Sequence, residues 1–150
     1  MDLRELERYL HEQIPLSAAM GVEVLAADRT GVRLSAPLAP NINHRETVFG
    51  GSASAVAILA AWALIHVRLT EEGIASRVVI QRNTMRYERP IVAAFVASSA
   101  IQDPRTWEQF IKVLKRKHRA RISVTATLHC GGENVGELEG DFVALDARPA

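Results

Sequence analysis

The stretch Gly51–Val67 reads GSASAVAILAAWALIHV, and wound as a helix it is apolar on every face. A surface helix keeps a polar side, so a helix without one must be buried all round. A bilayer span needs roughly 20 such residues. This run falls short of that, is rich in small residues, and ends at His66 and Arg68. It is expected to be a core element of a protein rather than a membrane span. One way to bury it is to wrap a curved antiparallel sheet around it, which requires enough strand in the rest of the chain.

The flanking sequence supplies that strand. Asp2–Gln13 has the pattern of an amphipathic helix, with Leu3, Leu6 and Leu10 at helical spacing, and Pro15 stops it. Gly21–Ala27 and Gly31–Leu38 are expected strands joined by a turn at Asp28–Gly31. In the second strand Val32, Leu34, Ala36 and Leu38 share a face. A loop, Ala39–Gly51, leads into the apolar helix, with Ser52 as its expected cap. That helix runs to about Leu69 and is ended by Glu71, Glu72 and Gly73. Further strands are expected at Arg77–Tyr87, Ile91–Ile101, Arg119–Cys130 and about Asn134–Leu145. Arg105–Lys117 is a polar stretch, expected to be partly helical, and Gly131-Gly132 makes the last turn. Residues 1–150 thus read as a single α+β domain: helix, two strands, long buried helix, four strands. Short turns between consecutive strands favour antiparallel pairing.

The 150 residues, 48% of them hydrophobic, are enough for one sizeable core. A net charge of +1 gives no whole-chain field for nucleic acid or a membrane surface. The start, Met1-Asp2-Leu3-Arg4-Glu5-Leu6, lacks the positive head and apolar stretch of a signal peptide. The one cysteine, Cys130, allows no intrachain disulfide and no cysteine-rich metal site. A cytoplasmic location is the expectation. No histidine pair stands at metal-ligand spacing with a carboxylate, so neither a metal nor a resident cofactor is expected.

The loop before the long helix carries the chemistry. Pro40–Ser52 reads PNINHRETVFGGS. It delivers asparagines, a histidine, a glutamate and a threonine to a helix N-terminus, where unpaired backbone N–H groups and a partial positive charge gather. Glycines there let a ligand approach the backbone. A carbonyl oxygen that becomes an oxyanion would be stabilised at that point, and losing one such donor costs about 3 kcal/mol of transition-state stabilisation. Asn43 or His44 could hold or deprotonate an attacking water. The plainer reading is a polar, glycine-containing loop that only starts a helix.

The string Ala39-Pro40-Asn41-Ile42-Asn43-His44 followed by Thr47-Val48-Phe49-Gly50-Gly51-Ser52 resembles the signature of the YiiD C-terminal-domain family of hotdog-fold thioesterases. More broadly it is similar to the phenylacetyl-CoA-type thioesterases, and Met85–Pro90 resembles the tyrosine-then-proline strand end common in that fold. The resemblance implies a hotdog fold, a curved antiparallel sheet wrapped around a long central helix, and hydrolysis of an acyl-CoA or acyl-carrier-protein thioester. Coenzyme A would enter only as part of the substrate, and a homodimer or homotetramer would be the working form. Carried over, Asn43 orients water or substrate, the Gly50 N–H polarises the thioester carbonyl, and Gly51 packs closely at the helix start. His44 is the best available base. Asn41, Thr47, Phe49 and Gly51 would contact substrate, as would Asn83 across a dimer interface, with Gln81 or Thr84 as further candidates there.

The chain departs from the broader pattern at two places. Phe49 stands where those thioesterases often have histidine, and Ile58 where many carry the catalytic carboxylate. No Asp or Glu lies between Glu46 and Glu71, so hotdog dehydratases, which need an acid in the helix, match less well. A non-catalytic acyl-CoA or fatty-acyl binding module on the same fold is the alternative that this gap favours.

The remaining polar and aromatic residues also admit structural roles. Lys112, Lys115, Arg116, Lys117, His118, Arg119 and Arg121 form a basic cluster suited to phosphates, to an acidic carrier protein, or merely to solvent. Arg82 and Arg86 share one strand parity, Gln81 and Asn83 the other, and either set could face a pocket. His66 reads as a hydrogen-bonded core or interface residue, His11 and His129 as surface residues, and Cys130 as a buried inert thiol. Trp62, Phe49 and Trp107 are the candidates for setting pocket depth. Ser52 and Ser54 have no His-Asp partners for a hydrolase triad.

Overall fold

A computed structural model describes residues 2–146. The chain runs α1 (Leu3–Gln13), α2 (Pro15–Ala19), β1 (Glu23–Ala27), β2 (Val32–Ala36), α3 (Gly50–Glu71), β3 (Ser76–Tyr87), β4 (Phe95–Ala100), α4 (Pro104–Lys117), β5 (Arg119–Cys130) and β6 (Glu133–Asp146). The strands form one six-stranded sheet in the order β1-β2-β4-β5-β6-β3, antiparallel throughout. The α3 helix lies against it and touches β2, β3, β4, β5 and β6. This is the hotdog arrangement that the apolar helix implied.

The alternation read in β5 positions the core. Ala120, Ile122, Val124, Ala126 and Leu128 are buried toward α3, while Arg121, Ser123 and Thr125 are exposed on the outer face. Gly131 and Gly132 turn the chain into β6 with φ of +59° and +80°, a backbone that side chains other than glycine rarely adopt. Within α3, Val56, Ala57, Ala60, Ala61, Ala63, Leu64 and Ile65 are fully buried, and the alanines among them let the sheet approach closely. By length and composition alone this 22-residue helix could cross a bilayer, but most of it is the core of the domain.

Several expectations are corrected. The helix begins at Gly50 and is capped by Phe49, without a side-chain hydrogen bond; Ser52 already lies in its first turn. Pro15 does more than stop α1, because its fixed φ suits a first-turn position and it opens the short α2. The strand expected from Ile91 starts only at Phe95. Ile91 instead accepts the Val48 N–H at 2.8 Å, so this stretch backs the loop rather than the sheet. Pro104–Lys117 is fully helical, capped by Asp103 at its start and by His118 with φ +61° at its end. Its Trp107 ring lies under the Arg68 guanidinium at 4.5 Å and donates to the Glu72 carboxylate at 2.9 Å, pinning α4 to the far end of α3.

Burial of α3 is also not complete. Ser54, Ala55, Ile58, Trp62 and His66 form a half-buried strip along one side, at the i, i+3/i+4 spacing of a helix face. At its far end the Trp62 indole donates to Val78 O at 2.8 Å. The His66 ring is stacked between Trp62 and Tyr9 of α1, with centroids 5.1 and 4.7 Å apart and planes within 10°.

Candidate active site

The loop before α3 is organised by Asn43. Its Oδ1 accepts the backbone N–H of Arg45 at 2.8 Å and of Thr47 at 3.2 Å, and its Nδ2 donates to Thr47 Oγ1 at 2.9 Å. The Asn43 N–H itself donates to Thr47 O at 2.8 Å. Asparagine suits this turn because its side chain can replace backbone partners. Glu46, with φ +62°, closes it. Asn41 is a clamp placed deeper. It is 2% exposed and its Nδ2 donates to Met20 O and Pro37 O, while its backbone carbonyl accepts the Phe49 N–H at 2.7 Å. Asn41 therefore ties the end of α2 and the exit from β2 to the cap of α3, and its side chain is closed to a substrate. His44 and Glu46 are both exposed.

At the helix start, Ser52 and Ala53 donate their N–H groups to Phe49 O. Among the described residues no acceptor is paired with the N–H of Gly50 or Gly51. They are the open donors of a 22-residue helix with no acidic residue in its first turn, where the helix dipole favours negative charge. A cavity of about 330 Å³ opens beside them, lined by Thr47, Val48, Gly50, Tyr87, Ile91 and Leu128, among others. Tyr87 seats the helix start: its hydroxyl donates to Gly50 O at 3.2 Å, and a Cβ on Gly50 would lie 3.4 Å from its ring. A Cβ on Gly51 would overlap the ring of Phe49. Phe49 is itself 58% exposed.

The structure thus brings Thr47, Phe49, Gly50 and Gly51 together at one helix end. It places Asn43 in the loop's own hydrogen bonds, Asn41 behind the loop, and His44 on the surface. Sequence reasoning did not single out Tyr87 as a site residue. Its one signal was the tyrosine-then-proline strand end.

The parity question on β3 is settled by register. Asn83, Met85 and Tyr87 pair with Gly140, Leu138 and Gly136 and face the helix side, whereas Arg82, Thr84 and Arg86 pair with Asp141, Glu139 and Glu137 and face outward. A bulge between Ile80 and Arg82 breaks the alternation. Gln81, expected with Asn83, instead meets the Arg121 guanidinium of the outer face at 3.4 Å. Of the basic cluster, Lys117, Arg119 and Arg121 line a concavity of about 510 Å³ that has no acidic residue in its wall. His66 is not hydrogen-bonded through its ring among the described residues, and burial pushes its pKa below the ordinary imidazole value. His11, expected on the surface, is half-buried with Nε2 2.7 Å from Val22 O. Cys130 is half-buried against the core rather than fully buried.

Comparison with known proteins bears on the fold and the family. A protein of unknown function from Chlorobaculum tepidum TLS has a similar structure, with 28% identity, a TM-score of 0.91, and coverage of 96% of this chain and 94% of that one. A protein from Shewanella oneidensis described as a "putative thioesterase" matches with 26% identity, a TM-score of 0.85, and coverage of 95% and 96%. A thioesterase from Haemophilus influenzae shares the fold at 13% identity, with a TM-score of 0.77 and coverage of 97% and 92%. The family described as "Putative thioesterase (yiiD_Cterm)" matches residues 3–146, nearly the whole chain, and the chain belongs to that family.

Proposed function

We propose that the protein hydrolyses acyl thioesters of coenzyme A or of an acyl-carrier protein, and that it works as a homodimer. The observation that supports this reading is the pair of unpaired N–H groups at Gly50 and Gly51 at the start of a long buried helix, with Gly50 lining a cavity there. The thioester carbonyl oxygen accepts from these donors, and water attacks the carbonyl carbon. The oxyanion that forms is held by fixed dipoles needing no rearrangement. Collapse breaks the C–S bond, and the departing thiolate takes up the proton lost by water, giving a carboxylic acid and a thiol.

Asn43 keeps the loop in shape and Thr47 lines the cavity beside Gly50. His44, the loop's one imidazole, is the base in this reading. Asn83 lies on the helix side of an edge strand, where a second copy would bring it close to a neighbouring site. The acid-free concavity of Lys117, Arg119 and Arg121 supports an anionic thiol carrier.

The test is thiol release from a panel of acyl-CoAs and acyl-carrier proteins, followed with a thiol reagent. Release is expected from at least one class. His44→Ala should lower kcat with the thermal midpoint unchanged, because the side chain is exposed; unchanged kcat removes it from the mechanism. Ile58 in place of a helix carboxylate favours a second reading, a binding module, which predicts acyl-CoA binding with no thiol released.

A further inference from the structure

We infer that Tyr87 is a positioning residue of this site: its hydroxyl acts through the Gly50 carbonyl to hold and polarise the peptide that carries the Gly51 N–H. The inference rests on the thioesterase reading and adds to it a residue from outside the loop and the helix.

A peptide unit is planar, and its C=O and N–H point in opposite directions. Each open donor therefore shares a rigid plane with the carbonyl of the residue before it. The Gly50 N–H shares its plane with Phe49 O, and that carbonyl accepts the N–H groups of Ser52 at 3.0 Å and Ala53 at 3.1 Å. The helix itself thus fixes the first donor. The Gly51 N–H shares its plane with Gly50 O. Helix geometry points one N–H, that of Ser54, at this carbonyl and leaves its second lone pair free. The Tyr87 hydroxyl donates to Gly50 O at 3.2 Å. Glycine holds its own backbone loosely, so a restraint from outside the helix matters more here than it would at alanine. A hydrogen bond to the carbonyl also polarises the unit and strengthens its N–H as a donor.

Tyr87 is well placed to act as that restraint. It pairs with Gly136 of β6, and just beyond it Glu88 and Arg89 both donate their N–H groups to Val135 O, at 2.9 and 3.2 Å. The strand end is thereby fixed to the sheet. A little further on, Ile91 O accepts the Val48 N–H at 2.8 Å. The exit of β3 thus grips the chain on both sides of Phe49, at Val48 through backbone and at Gly50 through the tyrosine. The ring lies along Gly50, and both residues line the cavity of about 330 Å³. With Tyr87 58% exposed, the hydrogen bond is open to water, and its effect is correspondingly modest.

The experiment compares wild type with Tyr87→Phe, which keeps the ring and removes the hydroxyl. The first readout is kcat and KM on an acyl-CoA that wild type hydrolyses. A fall in kcat of about three- to tenfold is expected with KM unchanged, less than the loss of a whole donor would cause. The second readout is the backbone amide NMR spectrum of isotope-labelled protein without substrate. The Gly51 amide should move to lower frequency, and by more than the Gly50 amide, because only the Gly51 N–H shares a peptide with the affected carbonyl. A merely structural tyrosine would lower the thermal midpoint and leave Gly51 no more shifted than its neighbours; that result overturns the inference. So does an unchanged kcat, and so does a rise in KM alone, which would place the hydroxyl against the bound substrate. A lower kcat with the Gly51 amide unmoved would make the hydroxyl a direct donor to the reacting carbonyl, and overturns it too. If wild type releases no thiol, the hydrolase reading fails separately. The Gly51 amide then decides alone whether Tyr87 acts on this peptide.

Discussion

At Gly50 the chemistry is assigned to a backbone atom, so the informative substitution removes that atom and nothing else. Gly50→Pro does so. Proline is well accepted at the first position of a helix, where its missing N–H has no helical partner. The preceding residue must then be extended, and Phe49 already is, with φ −58° and ψ 133°. A Cβ at this position lies 3.4 Å from the Tyr87 ring, an ordinary contact. Loss of kcat by about a hundredfold or more is expected, with the helix content by circular dichroism preserved. Gly50→Ala keeps the N–H and should lose far less. Gly50, Gly51 and the loop were legible in the sequence because donors, glycines and a helix start are adjacent along the chain. Tyr87 was not, because its contact with Gly50 joins positions far apart in sequence, and only the folded sheet brings them together. The confinement of the Asn43 side chain to its own turn was hidden for a different reason. The same residue type serves a catalytic site or an Asx turn, and only the partners distinguish the two.

Among the elements, α3 could be read because hydrophobicity on every face has few solutions, and β5 because its alternation is unbroken. The strip that α3 leaves uncovered could not be read, since it depends on how far the sheet curls and where α1 lies. The bulge in β3 was equally hidden: one extra residue moves Gln81 to the outer face, and nothing in its neighbours' polarity marks it. His66 sits where α1 and α3 meet, and its stack has a consequence for stability. Burial lowers its pKa in the folded protein relative to the ordinary value near 6.5, which the unfolded chain keeps. Below that value the unfolded state binds the proton more readily than the folded state. The contribution of a neutral His66 is therefore present above about pH 6.5 and lost as pH falls through the lowered folded value. The thermal midpoint should drop on acidification from neutral pH toward 5. In His66→Phe, which keeps a ring in the stack, the part of the drop due to this residue should vanish. Parallel curves for the two proteins would rule out His66 as the titrating group.

At the scale of the whole molecule, the two edges of the sheet are unequal, and the inequality predicts the assembly. The β1 edge is short and partly occupied from within. Glu7 of α1 accepts the Val24 N–H at 2.8 Å, and His11 lies 2.7 Å from Val22 O. Side chains that take up edge hydrogen bonds in this way block further strand pairing. The β3 edge is 12 residues long and mostly exposed, with Val79 and Tyr87 open to solvent at 52% and 58%. Apart from Val78, whose carbonyl accepts the Trp62 indole N–H, this long edge is open to pairing with its own copy about a two-fold axis, because antiparallel pairing of identical strands is self-complementary. Light scattering should therefore give a dimer mass, and hydrogen exchange should find amides of 76–87 more protected than a lone edge strand allows. On dilution those amides should lose protection together with the drop in mass, while β1 is unaffected. Val79→Lys adds a charge beside the exposed Arg77 and should shift the equilibrium toward monomer. Turnover per chain should fall with it, since Asn83 and Tyr87, both on this edge strand, lie on the side that faces the helix. A protein that stays monomeric at high concentration, or a dimer whose β3 amides exchange freely, would place the contact elsewhere. The site would then have to work with the residues of one chain.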